Sequence, residues 1–246
     1  MKREKLKDFS FLIIVKLDTI ERLENTIHTV NYLNTFFDTN IYLWEYGSWN
    51  NGIIKQLLPA EVKYEFRMDL DPIFHRTYHL NKMIENVKSD FISVWDTDVI
   101  IHRNQVFNAA KLLRKGIDVV YPYDSFYDTS DEIRRMYLNS EYNIDLLQSC
   151  TKYMKELYGP KPVGGAFMIN KACYIESGKE NENYYGWGYE DGDRYYRWIN
   201  HEYKIKRING PLFHLSHPRG LNSTVPNTEQ NIAKKRELLY TIKHKI

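Results

Sequence analysis

Two aspartates interrupt an apolar, strand-like run near the middle of the chain. Residues 91–101 read FISVWDTDVII, so Asp96 and Asp98 have apolar neighbours on both sides. An ionised carboxylate buried without a partner is strongly unfavourable, whereas Mg²⁺ or Mn²⁺ takes hard oxygen ligands and offsets the repulsion between two aspartates. Alternate residues of a strand share a face, so this spacing predicts that both side chains converge on one ion. The alternative is a charged strand end at the surface.

Two histidines near the carboxyl end of the chain offer further metal ligands. His214 and His217 lie in the segment FHLSHPR, and both imidazoles reach one ion if that segment turns. A single histidine is more often a structural residue. Two at this spacing, in a chain that already has a carboxylate pair, favour metal binding. Imidazole together with oxygen ligands suits Mn²⁺ better than Ca²⁺.

A tryptophan between two glycines precedes a group of acids in GWGYEDGD, residues 186–193. Glu190, Asp191 and Asp193 fall in or near the first turn of a predicted helix, where negative charge is favoured. Helix capping therefore explains one or two of the acids. It does not explain the aromatic residue in a glycine hinge, which favours a mobile loop that stacks a sugar on Trp187. Asp191 or Glu190 would then present a base.

Two other segments are candidates for ligand contacts. In FHRTYHLN, Phe74 could pack against a nucleotide base and Arg76 could donate to a base or phosphate. The same residues are also explained by an apolar core position and a solvated arginine. The pair Gly164-Gly165 opens a predicted strand and permits unusual backbone angles or the close approach of a ligand.

The elements that must position these residues alternate between strands and helices in the first half of the chain. Strands are predicted at 9–16, 40–46, 62–67, 91–101 and 119–121, and helices at 19–37, 73–87 and 104–115. This order predicts an α/β fold with a mostly parallel central sheet flanked by helices. Ligands of open α/β sheets bind at the carboxyl ends of strands, where we expect the two aspartates.

The pattern changes after residue 122. Residues 123–162 are polar and rich in tyrosine, and we expect a surface excursion or lid there. The remaining predicted elements are a strand at 163–170, a loop at 178–188, a helix at 189–201, a strand at 203–208 and a basic amphipathic helix at 228–244. We predict a single domain over residues 1–246, with a nucleotide-binding half at about 1–122 and an acceptor and metal half at about 123–222.

Composition limits the class of protein. The 246 residues are 43% hydrophobic and 27% charged, as in an ordinary globular domain, and the net charge of +2 gives no reason to expect nucleic acid as a partner. Cys150 and Cys173 do not suggest a disulfide framework, which favours a reducing compartment. No apolar run reaches the roughly 18 residues needed to cross a membrane. We therefore expect a cytoplasmic protein.

The segments FHRTYHLN, WDTD, VGGAFMINK, GWGYEDGD and HLSHPRGLN, in this order, resemble the GT-A glycosyltransferases. They are most similar to the β-1,4-galactosyltransferase family and its bacterial relatives, from the first strand to about residue 222. The resemblance implies a GT-A fold of the nucleotide-diphospho-sugar transferase type. It also implies that Asp98 binds Mn²⁺, that Asp96 contacts the nucleoside, and that Phe74 and Arg76 lie near the uracil.

The chain departs from the family pattern at two places. The family binds its metal through a Met and a His three residues later, where this chain has His214 and His217. In the family the loop reads GWG followed by a Glu and a run of Asp, whereas here Tyr189 follows the second glycine and Gly192 interrupts the acids. Asp191 still occupies the position of the base that the resemblance implies.

These residues together predict a metal-dependent transferase. It would move a hexose, galactose or N-acetylgalactosamine, from a UDP-sugar to a glycan or lipid-linked saccharide with inversion, using Mn²⁺ or Mg²⁺. Asp191 or Glu190 would take the acceptor proton. Glu45, at the end of the second predicted strand, is a candidate acceptor for uridine or ribose donors.

Several alternatives stay open from the sequence. A retaining transferase of the same fold is one. A phosphatase of the haloacid-dehalogenase type also has Asp-x-Asp after a strand, although normally on the first strand of its fold. A non-catalytic sugar-nucleotide-binding protein is a third, although all the acids are present. The basic helix at 228–244 could lie on an anionic membrane surface or pack on the domain.

Overall fold

Strands and helices alternate along the first half of the chain. The computed structural model describes residues 3–50, 52–223 and 228–244. The strands in these residues are β1 (Glu4–Lys16), β2 (Phe37–Gly47), β3 (Lys63–Met68), β4 (Phe91–Trp95), β5 (Val99–Ile101), β6 (Val119–Tyr121), β7 (Ser125–Asp128), β8 (Lys155–Glu156), β9 (Ala166–Asn170), β10 (Ile205–Arg207) and β11 (Pro211–His214). The α-helices are α1 (Ile20–Phe36), α2 (Ile53–Leu57), α3 (Arg76–Ile84), α4 (Arg103–Arg114), α5 (Asp131–Leu138), α6 (Ile144–Ser149), α7 (Lys171–Glu176), α8 (Glu190–Asn200) and α9 (Thr228–Lys243).

Seven strands of the described residues form one sheet, in the order β10-β6-β9-β4-β1-β2-β3. Neighbouring strands are parallel except around β9, which runs antiparallel to both β4 and β6. Residues 9–15 of β1 and nearly all of β4 are buried and mostly apolar, because both faces of the sheet are covered there. The predicted α/β class with a mostly parallel sheet is confirmed.

The chain changes sheet at the Asp-x-Asp segment. β4 ends at Trp95, and β5 begins at Val99 in a second sheet of order β5-β11-β7-β8. The indole of Trp95 donates to the Val99 carbonyl at 2.9 Å and the amide of Asp96 donates to the Gly165 carbonyl at 2.8 Å, so the intervening turn is fixed on two sides. The prediction that Asp96 and Asp98 lie within one strand and share a face is therefore wrong. They lie in a turn between two sheets.

Residues 123–162 are largely structural. They supply β7 and β8 to the second sheet and the helices α5 and α6. Tyr123, Tyr137 and Leu147 are fully buried, and the Tyr123 hydroxyl donates to the carbonyl of Gly164. The expected surface excursion is wrong for much of this part, because Tyr123 and Tyr137 pack as core residues, whereas Tyr153 and Tyr158 are exposed. Residues 158–161 are exposed at the rim of a cavity.

Two local features complete the architecture. The Thr19 hydroxyl accepts from the Arg22 amide at 3.1 Å and so begins α1 just beyond the end of β1. At the other end of the chain, α9 packs along α8. Within the described ranges, no helix combines the length and the apolar composition that crossing a membrane requires.

Candidate functional site

A cavity of about 700 Å³ lies beside the carboxyl ends of β4 and β11, where the two sheets meet. Its wall contains every candidate site residue from the sequence except one. These residues are Phe74, Arg76, Asp96, Asp98, Gly165, Trp187, Glu190, Asp191, His214 and His217. Elements distant in sequence therefore bring the predicted metal, nucleotide and acid groups to one place, at the sheet edge where ligands of α/β proteins bind.

Asp98, His214 and His217 form a group that fits a metal ion. Their potential ligand atoms all lie within 4.8 Å of one another. His217 Nε2 is 3.3 Å from one carboxylate oxygen of Asp98, and His214 Nε2 is 3.7 Å from the other. Asp98 follows β4, whereas the histidines lie at and just after the end of β11, and the backbone bond from the Leu215 amide to the Asp98 carbonyl joins the two segments at 2.7 Å.

The second ring nitrogen of each histidine is also bound. His214 Nδ1 lies 2.7 Å from Asp128 Oδ1, and His217 Nδ1 lies 2.8 Å from the Pro218 carbonyl. With the proton on Nδ1, each ring donates to its acceptor and leaves the Nε2 lone pair for a metal. Such outer hydrogen bonds orient metal-binding histidines and raise their basicity. One carboxylate and two imidazoles suit an ion of the Mn²⁺ class rather than Ca²⁺.

The charge around Asp98 favours its ionised form. Burial raises the pKa of this carboxyl group, but His214 and His217 outweigh that effect and hold the pKa well below its usual range. Arg22, in the first turn of α1, adds a positive charge 3.8 Å from Asp98 Oδ2. The group that would bind a metal is thus already an anion at neutral pH.

Asp96 belongs to a different part of the cavity. Its carboxylate accepts from Arg76 at 2.6 Å, at the start of α3. The turn directs Asp96 to Arg76 and Asp98 to the histidines, so only Asp98 belongs to the group of potential metal ligands. The convergence of both aspartates on one ion stays a prediction. Phe74 lies next to Arg76 in the chain, and its amide donates to Asn222 Oδ1 at 2.9 Å, which fixes this side of the cavity.

The acids of GWGYEDGD lie in the first turn of α8, as predicted. Asp191 pairs with Arg194, a fully buried arginine whose other nitrogen lies 2.8 Å from Glu180. This chain of charges fixes the Asp191 side chain. Trp187 precedes the helix and is 39% exposed, and the Arg219 guanidinium lies over its ring at 5.9 Å from the centroid.

Glu190 has an unusual environment for a carboxyl group. It is only 7% exposed, and its Oε2 atom has no hydrogen-bond partner among the residues that the structure describes. Burial, and secondarily the neighbouring charge of Asp191, raises the pKa of Glu190 to about 7. A carboxyl group with a pKa near neutrality can both accept and release a proton under physiological conditions.

The glycine pair before β9 has a packing explanation at each position. A Cβ atom on Gly164 would lie 2.7 Å from Asp191 Oδ2, so only glycine leaves room for that carboxylate. Gly165 has φ +87°, and a Cβ there would lie 2.9 Å from Leu212 Cδ1. Both glycines thus leave space for neighbouring side chains at the cavity. The unusual backbone angle predicted for this pair is present at Gly165.

Glu45 is the candidate that the structure does not bring to the cavity. It is buried in β2 and accepts from the Tyr64 hydroxyl of the neighbouring strand β3 at 2.7 Å. Burial raises the pKa of this carboxyl group. The prediction that it contacts uridine or ribose is not supported, because its side chain bonds to Tyr64 and does not line the cavity.

Three residues that contact the candidate site residues were not identified from the sequence, namely Arg22, Asp128 and Arg194. Arg22 follows the first strand and so lies at the ligand-binding edge, which is a usable signal. Asp128 lies in the region interpreted as a surface excursion, so its hydrogen bond with His214 was not predicted. Arg194 had no sequence signal, because an arginine within a helix is ordinarily solvated.

Comparisons with known proteins agree with this geometry. The model of a family described as the N-terminal domain of galactosyltransferase matches residues 145–218. No curated protein matches the sequence significantly. Among solved structures, glucosyl-3-phosphoglycerate synthase from Mycobacterium tuberculosis, in complex with Mn²⁺, UDP and phosphoglyceric acid, is 15% identical with a TM-score of 0.55, covering 96% of this chain and 78% of that one.

A second similar structure is the catalytic domain of Drosophila β1,4-galactosyltransferase 7 in complex with xylobiose. It is 14% identical with a TM-score of 0.55, and the match covers 94% of this chain and 79% of that one. The M. tuberculosis synthase is also known in complex with Mg²⁺ and UDP, at 13% identity and a TM-score of 0.54 over 96% of this chain and 78% of that one. The chain has the fold of GT-A glycosyltransferases, and the resemblance predicted from its motifs is confirmed.

Proposed function

We propose that this protein is a metal-dependent glycosyltransferase that moves a hexose, galactose or N-acetylgalactosamine, from a UDP-sugar to a saccharide hydroxyl. The observation that carries the proposal is the convergence of Asp98, His214 and His217 in the cavity that also holds Trp187 and the acids of α8. The fold supports it, since similar structures contain UDP with Mn²⁺ or Mg²⁺ in one case and a disaccharide in another.

Asp98, His214 and His217 would hold the metal, Mn²⁺ or alternatively Mg²⁺. When bound, such an ion supplies positive charge that neutralises the diphosphate of the leaving UDP. Arg22 supports this end of the cavity, because its guanidinium lies 2.8 Å from the Ser223 hydroxyl and 2.7 Å from Asp18 and is thereby fixed beside Asp98.

The nucleoside would occupy the side of the cavity formed by Phe74, Arg76 and Asp96. Phe74 offers an aromatic face, and the Arg76 to Asp96 pair presents a donor and an acceptor in fixed positions. The sugar would then lie toward Gly165 and Trp187, where an aromatic ring can stack on the apolar face of a hexose. Glu45 has no part in this proposal.

The acids of α8 would act on the acceptor. We assign the base to Asp191, which faces the cavity, with Glu190 as the alternative because its pKa is about 7. The base removes the proton of the acceptor hydroxyl as that oxygen bonds to the anomeric carbon and the bond to the UDP oxygen breaks. A single displacement of this kind inverts the anomeric configuration. Arg194 would hold Asp191 in place.

The acceptor would be a glycan or a lipid-linked saccharide, and the outer face of α9 favours peripheral contact with the inner face of a cytoplasmic membrane. Four apolar side chains on that face are 41–53% exposed, namely Ile232, Leu239, Tyr240 and Ile242. Exposed cations lie among them, namely Lys235, Arg236 and Lys243. Exposed apolar and basic side chains on one helix face are typical of binding to anionic lipid.

The test is release of UDP from a panel of UDP-sugars with Mn²⁺, with and without saccharide acceptors. A transferase releases UDP and forms a glycoside, and NMR of the product anomer distinguishes inversion from retention. Asp191→Asn should lower kcat by about 10² to 10⁴ with little change in donor affinity if Asp191 is the base. Release of inorganic phosphate from phosphate esters, or UDP binding without turnover, would contradict the proposal.

A further inference from the structure

The C-terminal helix α9 is bonded to the segment that carries Trp187 and to the first turns of α8. Its inward face makes four side-chain hydrogen bonds of 2.6–2.9 Å to that segment. These bonds join Lys234 to the Trp187 carbonyl, Glu237 to Asn181 and Asn183, and Thr241 to Asp193. The loop before α8 is therefore held from outside by α9 as well as by its own turns.

Lys234 is the unusual member of this set. It is only 4% exposed, and a buried ammonium is unfavourable unless other groups compensate its charge. Its Nζ atom donates to the Trp187 carbonyl at 2.8 Å, which is a neutral partner. Burial lowers the pKa of Lys234, and the charge of Glu190 opposes this only in part. The loop carbonyl is thus the direct polar contact shown for this buried ammonium within the described residues.

We infer that Lys234 is a positioning residue of the active site: the hydrogen bond from its buried ammonium to the Trp187 carbonyl holds the Trp187 loop against α9. The catalytic consequence rests on the proposed transferase function. The contact with the loop does not, and it can be measured without turnover.

The experiment compares Lys234→Met with Lys235→Met. The first variant keeps the apolar stem and removes the ammonium, whereas the second makes the same change at the next residue, which is exposed. Hydrogen–deuterium exchange of peptides covering residues 181–191 should be faster by about tenfold or more in Lys234→Met and unchanged in Lys235→Met. Lys234→Arg, which retains the charge, should stay close to the wild type.

Each outcome decides the inference. Equal exchange in all the proteins overturns it, and so does exchange in Lys234→Met that is faster throughout the protein rather than in residues 181–191. If Lys234→Met lacks the circular dichroism spectrum of a folded protein, Lys234→Gln takes its place in the exchange measurement. If the wild type releases no UDP from any UDP-sugar, the proposed function fails, and the exchange measurement still decides whether Lys234 holds the loop.

Discussion

His214 and His217 present the same ring nitrogen to Asp98 but are held by different acceptors. The acceptor for His214 is the Asp128 carboxylate, and the acceptor for His217 is the backbone carbonyl of Pro218. A charged acceptor increases the basicity of the imidazole more than a neutral one. His217 nevertheless lies closer to the Asp98 carboxylate, at 3.3 Å against 3.7 Å. Under the proposed function, affinity for the ion would depend on Asp98, His214, His217 and Asp128 rather than on the Asp-x-Asp motif alone.

The first prediction concerns these ligands. Asp98→Ala should abolish nearly all Mn²⁺-dependent binding of UDP, because it removes the one anionic ligand of the group. His217→Ala should weaken binding, and His214→Ala should do so by an equal or smaller factor. Asp128→Ala, which removes an outer hydrogen bond, should cost about 10- to 100-fold. Isothermal titration calorimetry with Mn²⁺ and UDP measures all four.

His201→Ala serves as the matched control, since His201 ends α8 outside the cavity wall. Its affinity for Mn²⁺ and UDP should equal that of the wild type. Wild-type affinity in Asp98→Ala, or equal losses in His217→Ala and His201→Ala, would show that the metal group is assigned incorrectly.

The second prediction follows from the raised pKa of Glu190. In the unfolded chain this carboxyl titrates near 4.5, and in the folded protein near 7. Its contribution to stability is therefore complete below pH 4.5 and is lost as the pH rises through 7, since the unfolded state releases its proton first. Glu190→Gln removes this loss. Relative to the wild type, the variant should gain about 3 kcal/mol in free energy of unfolding between pH 4.5 and 8.

Urea denaturation at several pH values in this range measures that difference. The exposed Glu61→Gln is the control and should follow the wild type at every pH. A constant difference between Glu190→Gln and the wild type across the range would mean that Glu190 titrates normally in the folded protein.

At the scale of elements, Gly164 and Gly165, which lead into β9, lie in the cavity wall and next to side chains of the second sheet. Gly164 makes room for Asp191, and Gly165 packs against Leu212 of β11 and Phe126 of β7. Its carbonyl also accepts from the Asp96 amide. The position of the Asp-x-Asp turn thus depends on the backbone of Gly165, which allows the two sheets to approach closely.

The third prediction compares Gly165→Ala with Gly116→Ala. Both glycines have nearly the same backbone angle, φ +87° and +86°, but a Cβ at Gly116 would meet nothing within 4 Å. Gly116→Ala should cost about 1–2 kcal/mol of free energy of unfolding, which is the backbone strain alone. Gly165→Ala adds overpacking against Leu212 and should cost about 2–5 kcal/mol in total. Equal losses in urea denaturation would contradict the packing explanation.

At the scale of the whole molecule, α9 has one face toward the Trp187 loop and one face toward solvent. Its inward face bonds to the loop that carries Trp187, and its outward face combines exposed apolar and basic side chains. The cavity wall includes Asn231, near the start of the same helix. A membrane bound to the outward face would therefore lie close to the helix that holds the proposed acceptor site, which suits a lipid-linked acceptor.

The fourth prediction tests this surface. Reversing the charges with Lys235→Glu, Arg236→Glu and Lys243→Glu together should remove binding to vesicles that contain acidic phospholipid, since each basic residue contributes about 1 kcal/mol at such a surface. Flotation with acidic and with neutral vesicles measures the partitioning. The wild type should float only with the acidic vesicles.

A control variant reverses three exposed lysines away from α9, with Lys55→Glu, Lys88→Glu and Lys115→Glu. It has the same net charge as the α9 variant, so any difference between the two reports position rather than charge. Equal flotation of both variants would mean that α9 only packs on the domain.

The sequence by itself determined the α/β class of the fold and most of the residues that line the candidate site. Apolar runs spaced by amphipathic helices require a mostly parallel sheet, and carboxylates that follow such a strand have to lie at its ligand-binding edge. The acids of GWGYEDGD are placed in a first helical turn by local charge and helix preferences. These features depend on residues that are neighbours in the chain, so local sequence is enough to predict them.

Only the tertiary structure decided which groups meet. A strand pattern could not reveal that Asp96 and Asp98 lie in a turn between two sheets, because the change of sheet depends on the distant partner β11. Burial made core residues of Tyr123 and Tyr137 and raised the pKa of Glu190. Lys234 became an inward-facing cation because α9 packs on α8. Such pairings join residues far apart in the chain, so no local sequence pattern predicts them.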